Sequence, residues 1–111
     1  MRQWEIHLFP FREEKPHPAV ILSNDERCQN PDYKTVNVLV CTSVRITRAL
    51  KPVEVALDDA DGLDWLTAVR CDTIYLLEKE RFQGLRGLVT PGRRRAIVRK
   101  MFEAMRWPPV F

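Results

Sequence analysis

Short segments of large, apolar and β-branched residues recur through the first two thirds of the chain, the first of them alternating with polar residues, and they predict short β-strands. Five segments carry the pattern: Trp4–Phe9, Ala19–Leu22, Thr35–Cys41, Val53–Leu57 and Thr67–Leu77. Prolines and clusters of Ser, Asn, Asp and Gly separate the segments, and no helical period lies between them. Short strands joined by turns predict an antiparallel sheet or a small barrel, in which the last segment is the longest strand.

The final segment changes to a helical period. Thr90 is predicted to cap a helix that begins at Pro91. Apolar residues then recur at a spacing of about 3.6 and form one stripe: Ile97, Val98, Met101, Phe102 and Met105. The pair Pro108-Pro109 is expected to end this C-terminal amphipathic helix.

Length and composition narrow the class of protein. The 111 residues leave room for one domain, spanning 1–111, and a composition of 45% hydrophobic and 30% charged residues is that of an ordinary globular protein. No apolar run approaches the roughly 18–20 residues of a membrane span. The first residues also lack the apolar stretch of a secretory signal, so we expect a cytoplasmic protein without a membrane partner.

Charge is unevenly distributed behind a formal net charge of only +3. Residues 52–64 contain five acids and no Lys or Arg, whereas residues 78–111 contain nine bases and three acids. Without a linker between these regions, the asymmetry describes two faces of one domain. Arg93, Arg94 and Arg95 fall in the first turn of the predicted helix, where they form a solvated basic face or meet something acidic.

The cysteines and histidines do not indicate a metal site. Cys28, Cys41 and Cys71 are odd in number and have neither a disulfide nor a CxxC zinc spacing, so we expect buried or half-buried free thiols in a reducing compartment. His7 and His17 lie ten residues apart, outside any Cys or His cluster. The sequence also lacks a Gly-rich phosphate loop and the common metalloenzyme motifs, so we expect neither a cofactor nor a metal.

The strongest local feature is Arg70-Cys71-Asp72 in the longest predicted strand. Because side chains alternate across a strand, Arg70 and Asp72 share one face and Cys71 lies on the other. One interpretation is a salt bridge on the open face of the sheet. The other is a phosphate-binding guanidinium beside a carboxylate that accepts a proton.

Two further segments carry polar groups suited to chemistry. Thr42 and Ser43 follow the third predicted strand, where their hydroxyls can donate to an oxyanion or simply cap the turn. The predicted loop Phe9–His17 is rich in charge and proline. His17 stands between two prolines that restrict its backbone, which suits either a positioned imidazole or a surface residue.

The order of these segments resembles the MazF/PemK/Kid family of toxins. The resemblance is carried by the charged loop before Pro-Ala-Val-Ile-Leu-Ser, the strand ending in Thr-Ser, the acidic turn with Asp-Gly-Leu, the Ala-Val-Arg-Cys-Asp segment and the helix start Thr-Pro-Gly-Arg-Arg-Arg. It extends from about Trp4 to Met105. It implies a mainly β (α+β) domain, a small antiparallel barrel of the SH3-like and CcdB type with a C-terminal helix, assembled as a homodimer.

The resemblance also implies an activity and partners. It implies a toxin of a type II toxin–antitoxin system, a metal-independent endoribonuclease that cuts single-stranded RNA at short sequences and is bound by an acidic antitoxin. Catalytic residues implied by the match are Arg70, Asp72, Thr42 and His17. RNA-binding residues implied by the match are Ser43, Glu13, Glu14 and Arg12. In this assignment Asp72 is the base, His17 the acid, and Arg70 stabilises charge on the phosphoryl oxygens.

Two alternatives stay open at the level of sequence. Many members of the family carry Arg before the proline that opens the second strand, and here that position is His17. This departure motivates a catalytically degenerate module that binds RNA, antitoxin or gyrase without cutting. The other alternative is a barrel whose charged strand residues are only structural.

Overall fold

The computed structural model describes residues 1–12, 15–43 and 48–108, with the backbone alone at Arg12. Seven strands and two helices are formed by the described residues. In chain order they are β1 (Glu5–Arg12), β2 (Lys15–Ile21), α1 (Asp25–Gln29), β3 (Thr35–Ser43), β4 (Glu54–Leu57), β5 (Thr67–Arg70), β6 (Tyr75–Glu78), β7 (Gly84–Leu88) and α2 (Pro91–Met105). The mainly β architecture with a C-terminal helix is as predicted.

The strands form one curled antiparallel sheet in the order β4-β5-β3-β2-β1-β7, with β6 also paired to β3. Strand β3 is the organising strand, because it pairs with β2 on one edge and with both β5 and β6 on the other. Consecutive strands β1–β2, β2–β3 and β4–β5 pair directly, whereas β1 and β7 come together from opposite ends of the chain. The short barrel-like sheet expected from the alternating pattern is therefore confirmed.

Two clusters of apolar side chains lie on the two faces of this sheet. The α2 core packs the sheet against the C-terminal helix and includes Val20, Leu39, Cys41, Val69, Cys71, Ile97 and Met101. The α1 core lies on the opposite face and includes Ala19, Ile21, Cys28, Val36 and Val38. All three cysteines are free and buried in these cores, as the sequence predicts.

Helix α2 begins at Pro91 and follows Thr90 in an extended conformation, as predicted. The Thr90 side chain makes no capping bond, so the predicted side-chain cap is absent. The backbone N–H of Thr90 donates to Asp61 Oδ1 at 2.9 Å, which ties the start of the helix to the acidic turn. The helix ends where Arg106 adopts a left-handed conformation at φ 55°, before the two prolines. None of the described helices is long and apolar enough to cross a membrane.

The prediction of a charged loop over Phe9–His17 is wrong, because the described residues of this segment belong to strands β1 and β2. Strand β1 continues through Pro10 to Arg12, and β2 begins at Lys15. The pairing shifts between Phe9 and Arg12, so the proline lies at an irregularity where the missing N–H does not interrupt a regular ladder. His17 is therefore a strand residue that pairs with Phe9.

The single long strand predicted over Thr67–Leu77 is also wrong. It is divided into β5 and β6, which pair with the same edge of β3 in two registers. The six-residue step from Val69 to Tyr75 faces a three-residue step from Cys41 to Val38, so the chain carries three extra residues between the two strands. This bulge falls at Cys71–Ile74 and redirects the chain beside Arg70.

Two elements were not predicted. Helix α1 follows a segment that contains a turn signal, and it has only five residues, with Asn24 Oδ1 accepting from Arg27 N–H at 2.9 Å. Strand β7 contains two glycines, Gly84 and Gly87, and pairs with β1 at the edge of the sheet. A five-residue helix is too short to show a period, and a glycine-containing strand lacks the residues that favour strands.

The acidic segment and the start of α2 lie against each other. Arg93 donates to both oxygens of Asp58, at 2.6 and 2.9 Å, and also to Asp61. The Asp61 side chain is fully buried and accepts the N–H groups of Asp58 and Thr90 as well. Of the two interpretations of the arginine cluster, contact with an acidic group therefore holds for Arg93, and that group belongs to the same chain.

Candidate active site

The Arg70-Cys71-Asp72 segment lies at the end of β5, where the bulge begins. Cys71 is buried, and its N–H donates to the Val53 carbonyl at 2.9 Å, which anchors the chain between the two charged residues. Arg70 Nε donates to Asp72 Oδ1 at 2.6 Å and Arg70 Nη2 donates to Oδ2 at 3.1 Å. The salt bridge expected from the spacing is present, and it is bidentate.

This ion pair is accessible from solvent. The Arg70 side chain is 59% exposed and the Asp72 side chain 24% exposed. The hydrogen bond from Arg70 lowers the pKa of Asp72, and the same bond raises the pKa of Arg70. Both groups are thus charged at neutral pH, and the guanidinium can exchange its partner for an anion from solution without a rearrangement of the core.

Register places three of the predicted catalytic residues on one face. Thr42 lies opposite Ala68 on β5, and Arg70 is two residues further along the same strand. On the other side of β3, His17 lies two residues before Ala19, which pairs with Val40. Because directly opposed residues and residues two apart share a face, His17, Thr42 and Arg70 lie on the face away from α2.

The separation of these groups suits a shared extended ligand. Thr42 and Arg70 lie one strand apart across the sheet and two residues apart along it, which places their Cα atoms about 8 Å from each other. Thr42 is exposed, so its hydroxyl and the Arg70 guanidinium are both open to solvent. Ser43 has the opposite parity and is exposed at the last position of β3.

The environment of His17 is aromatic and half-buried. Its ring centroid lies 6.4 Å from that of Phe11, and the Phe11 ring lies 6.1 Å from that of Tyr75 on β6. Pro16 and Pro18 are neighbours on the same strand, as the sequence indicates. The sequence left open a positioned imidazole or a surface residue, and the structure gives a half-buried histidine beside an aromatic ring.

A cavity of about 570 Å³ is lined by both His17 and Ser43, although Ser43 and its partner Thr67 have the opposite parity to Thr42 and Arg70. Arg70 and Asp72 are not among the described residues that line it, so the predicted site residues are divided between the cavity and the end of β5. Other lining residues were not predicted from the sequence: Lys15, Asp64, Trp65, Thr67 and Arg86. They come from three stretches of the chain that are far apart in sequence, around positions 15, 64–67 and 86.

Three predicted RNA-binding residues cannot be placed at the site. Glu13 and Glu14 lie outside the described residues, and for Arg12 the backbone at the end of β1 is described. Within the described ranges, no three His, Cys, Asp or Glu side chains come together as a metal-binding group.

The sequence matches one family model over residues 2–103: that of the PemK-like, MazF-like toxins of type II toxin–antitoxin systems. The chain belongs to this toxin family. The resemblance deduced from the order of segments is therefore confirmed. A search of curated protein sequences finds no significant match.

Solved structures of MazF toxins have the same fold as this MazF-like chain. A mycobacterial endoribonuclease in complex with its cognate antitoxin is similar over 99% of both chains, with 24% identity and a TM-score of 0.80. The Mycobacterium tuberculosis toxin MazF-mt6 matches with 22% identity and a TM-score of 0.76, over 95% of this chain and 99% of the toxin. A MazE–MazF structure from Deinococcus radiodurans matches with 15% identity and a TM-score of 0.66, over 93% and 92%. At these identities the likeness establishes the fold.

Proposed function

We propose that this MazF-family chain is an endoribonuclease that cleaves single-stranded RNA at short sequences by a metal-independent transesterification. The observation that carries the proposal is the exposed Arg70–Asp72 pair at the end of β5. It lies in a chain of the toxin family, on a face that also holds Thr42 and His17. The mycobacterial proteins of the same fold are described as endoribonucleases.

Arg70 is the group that binds the scissile phosphate. A guanidinium is always charged and presents parallel N–H groups that match the geometry of phosphoryl oxygens. It stabilises the negative charge that increases on those oxygens as the 2′-oxygen attacks phosphorus. Thr42, about 8 Å away across the sheet, donates its hydroxyl to the same phosphate, and Ser43 binds the neighbouring part of the strand.

Asp72 is the general base that takes the proton of the 2′-OH. In the free protein the hydrogen bond from Arg70 keeps the Asp72 pKa low, which makes the carboxylate a weak base. When the guanidinium turns to the phosphate, Asp72 loses this partner and its basicity increases. Binding of the substrate therefore activates the base, and the bulge after β5 keeps Asp72 within reach of Arg70 throughout.

His17 is the general acid. The 2′-oxygen forms a bond to phosphorus, the bond from phosphorus to the 5′-oxygen breaks, and the imidazolium gives its proton to the departing oxygen. Histidine suits this role because an imidazole changes its protonation near neutral pH. The products are one RNA end with a 2′,3′-cyclic phosphate and one with a free 5′-hydroxyl, and no metal or cofactor enters the balance.

Glu13, Glu14 and Arg12, which precede Lys15 in the sequence, contact the RNA on either side of the cut. We assign them by the family resemblance, as positions of the charged segment that precedes β2. Two of the solved structures with the same fold contain a partner: the mycobacterial endoribonuclease with its cognate antitoxin, and MazE–MazF. We accordingly include an acidic antitoxin and a second copy of the chain among the partners, and place the protein in the cytoplasm, where its RNA substrate and free thiols belong.

The test is cleavage of a long single-stranded RNA in the presence of EDTA, with cut sites mapped by primer extension and product ends analysed for 2′,3′-cyclic phosphate. Arg70→Ala is expected to lower the cleavage rate by about 10²–10³-fold, since it removes a preorganised donor to the transition state. Arg70→Lys keeps the charge but not the fork and restores part of the rate. Arg99→Ala removes an exposed arginine from α2, on the other side of the sheet, and serves as the matched control.

Each result decides between the assignments. Full activity of Arg70→Ala overturns the site. Salt-sensitive RNA binding by the wild type without any cuts supports the binding module instead of the nuclease. Cleavage that disappears with EDTA excludes the metal-independent route.

A further inference from the structure

A second arginine–carboxylate pair lies beside Arg70. Arg48, which precedes β4, donates from Nη1 to Glu54 Oε1 at 2.7 Å and from Nη2 to Oε2 at 2.9 Å. The backbone N–H of Lys51 also donates to Oε1, at 2.8 Å. Both oxygens of the Glu54 carboxylate are therefore occupied, and its side chain is only 6% exposed.

Glu54 is also the residue that the sheet places opposite Arg70. The two are register partners on β4 and β5, so their side chains project from the same face with Cβ atoms about 5 Å apart. Opposite charges at such positions commonly stabilise a sheet by pairing across the strands. In the structure each side chain has a different partner, because Arg48 binds Glu54 and Asp72 binds Arg70.

The charge of Glu54 nevertheless acts on Arg70. The hydrogen bond from Arg48 lowers the pKa of Glu54, so this carboxylate is ionised at neutral pH. Its negative charge adds to the raised pKa of Arg70, after the larger effect of the hydrogen bond with Asp72. Without Arg48, an ionised and nearly buried carboxylate would lie within reach of the Arg70 guanidinium and lack its own cation.

A carboxylate in that position competes with phosphate. Guanidinium groups bind carboxylates and phosphates through the same parallel N–H groups. In the structure an incoming phosphate has to displace one solvent-accessible partner, Asp72, to reach Arg70. With Glu54 also bound to Arg70, the phosphate would have to displace a second and better buried carboxylate.

We propose that Arg48 is a positioning residue, which holds Glu54 by both oxygens and so keeps Arg70 open to the phosphate of the substrate. The inference rests on the proposed function and deepens it, since it says how the phosphate-binding arginine is kept available beside two carboxylates. Arg48 acts through Glu54 and does not itself touch the RNA. Its effect on binding therefore requires both Glu54 and Arg70.

The experiment measures binding of a single-stranded 2′-deoxy oligonucleotide, which lacks the attacking hydroxyl and is not cut by transesterification. Arg48→Ala is expected to weaken binding about tenfold, the effect of one lost charge-assisted contact. Adding Glu54→Gln removes the competing charge, restores the net charge of wild type and is expected to return the affinity to within about threefold of wild type. In the Arg70→Ala background, Arg48→Ala is expected to change the affinity by less than about twofold, because the residue on which it acts is gone.

Two further variants complete the comparison. Arg48→Lys keeps a cation, but an ammonium group cannot bind both oxygens of Glu54 as a fork does, so we expect an intermediate loss of affinity. If Arg48→Ala does not fold, Arg48→Lys with and without Glu54→Gln carries the same test. Lys100→Ala is the matched control, because it removes a cation from the ion pair with Glu103 on α2 and is expected to leave binding within about twofold of wild type.

The outcomes separate this inference from the nuclease activity. An equal loss from Arg48→Ala with and without Glu54→Gln overturns the inference, because Arg48 then contacts the oligonucleotide directly or only supports the fold. Losses in Arg48→Ala and Arg70→Ala that add together overturn it as well, as does a wild type that does not bind. If the expected pattern is found but wild type cuts no RNA, the inference stands and the nuclease fails. If wild type cuts RNA and the pattern is not found, the nuclease stands and the inference fails.

Discussion

Two arginine–aspartate clusters in this chain have similar composition and opposite surroundings. Arg93 binds Asp58 and Asp61 at the start of α2, where the Asp61 side chain is completely buried. Arg70 binds Asp72 at the end of β5, where the arginine is mostly exposed. The first cluster joins the acidic turn to the helix, and the second joins only residues two apart in the chain.

The difference lies in what else each aspartate does. Asp61 accepts two backbone N–H groups besides Arg93, so its carboxylate closes the acidic turn, holds the residue before the helix and fixes the arginine at once. Asp72 has one strong partner and a weak contact from Thr73 at 3.4 Å. A charge held by several buried donors stabilises the fold, whereas a charge held by one exposed partner is free to exchange it. This is why we place the chemistry at Arg70 and the structural role at Arg93.

Among the variants that test this difference between the clusters, we expect Asp61→Ala to lower the stability of the protein most. It leaves Arg93 and the Thr90 N–H without their buried acceptor, so we expect the free energy of unfolding to fall by about 3 kcal/mol or more. Asp72→Ala is the matched variant at the exposed pair and is expected to leave stability within the error of the measurement. Urea denaturation of both variants provides the comparison, and equal losses would show that burial does not distinguish the clusters.

The next largest loss of stability is expected where the backbone of Gly87 packs closely against the backbone of Asp61. A Cβ on Gly87 would overlap the backbone carbonyl oxygen of Asp61, so Gly87→Ala must displace the acidic turn from β7. We expect a loss of about 1–3 kcal/mol in the free energy of unfolding. Gly92→Ala, in α2 with open space around the new methyl group, is the control and is expected to stabilise slightly. A neutral Gly87→Ala would mean that the turn is not held against β7.

The smallest effect is a difference in pH dependence. Arg93 lowers the pKa of Asp58 from 3.8 to about 2, so this contribution to stability is complete above pH 4 and is lost as the pH falls towards 2. In Asp58→Asn we expect the midpoint temperature of thermal unfolding to fall less steeply with decreasing pH in that window. The pKa of Asp72 is also lowered by its arginine, but we expect a smaller change of this slope in Asp72→Asn, because Arg70 is more exposed than Arg93.

The exposed aspartate Asp32 provides the baseline for this measurement, since its side chain is in no ion pair with the described residues. Asp32→Asn should leave the slope unchanged. A larger change of the slope in Asp72→Asn than in Asp58→Asn would reverse the comparison between the clusters.

Those parts of the fold that depend on local pattern could be predicted. The alternation over Thr35–Cys41 identified β3 nearly in full, and the proline at the helix start fixed where α2 begins. The spacing of Arg70 and Asp72 predicted their ion pair correctly, because side chains two apart point the same way in an extended chain. The helical stripe predicted the α2 core at Ile97 and Met101, although Val98 is exposed.

The predictions about the fold that were wrong concern features that depend on which strand a segment pairs with. Proline at position 10 predicted the end of β1, but an irregular pairing accommodates it. The bulge after Arg70 exists because β5 and β6 share one edge of β3 in different registers, which neither segment encodes alone. For the candidate site, Arg70, Thr42 and His17 were predicted from the sequence and their assignment stays a prediction, whereas Trp65 and Arg86 were noticed only because they line the cavity.

By itself, then, the sequence determined the class of fold, the C-terminal helix, the free buried thiols and the ordered set of segments that places the chain in its toxin family. These follow from periods, caps and spacings, which act over a few residues. Only the tertiary structure decided which arginines are free to meet a ligand. The acidic turn and the arginine cluster are about thirty residues apart in the chain, and Arg93 is neutralised there while Arg70 stays exposed. Electrostatic partners are chosen by distance in space, and a sequence supplies only distance along the chain.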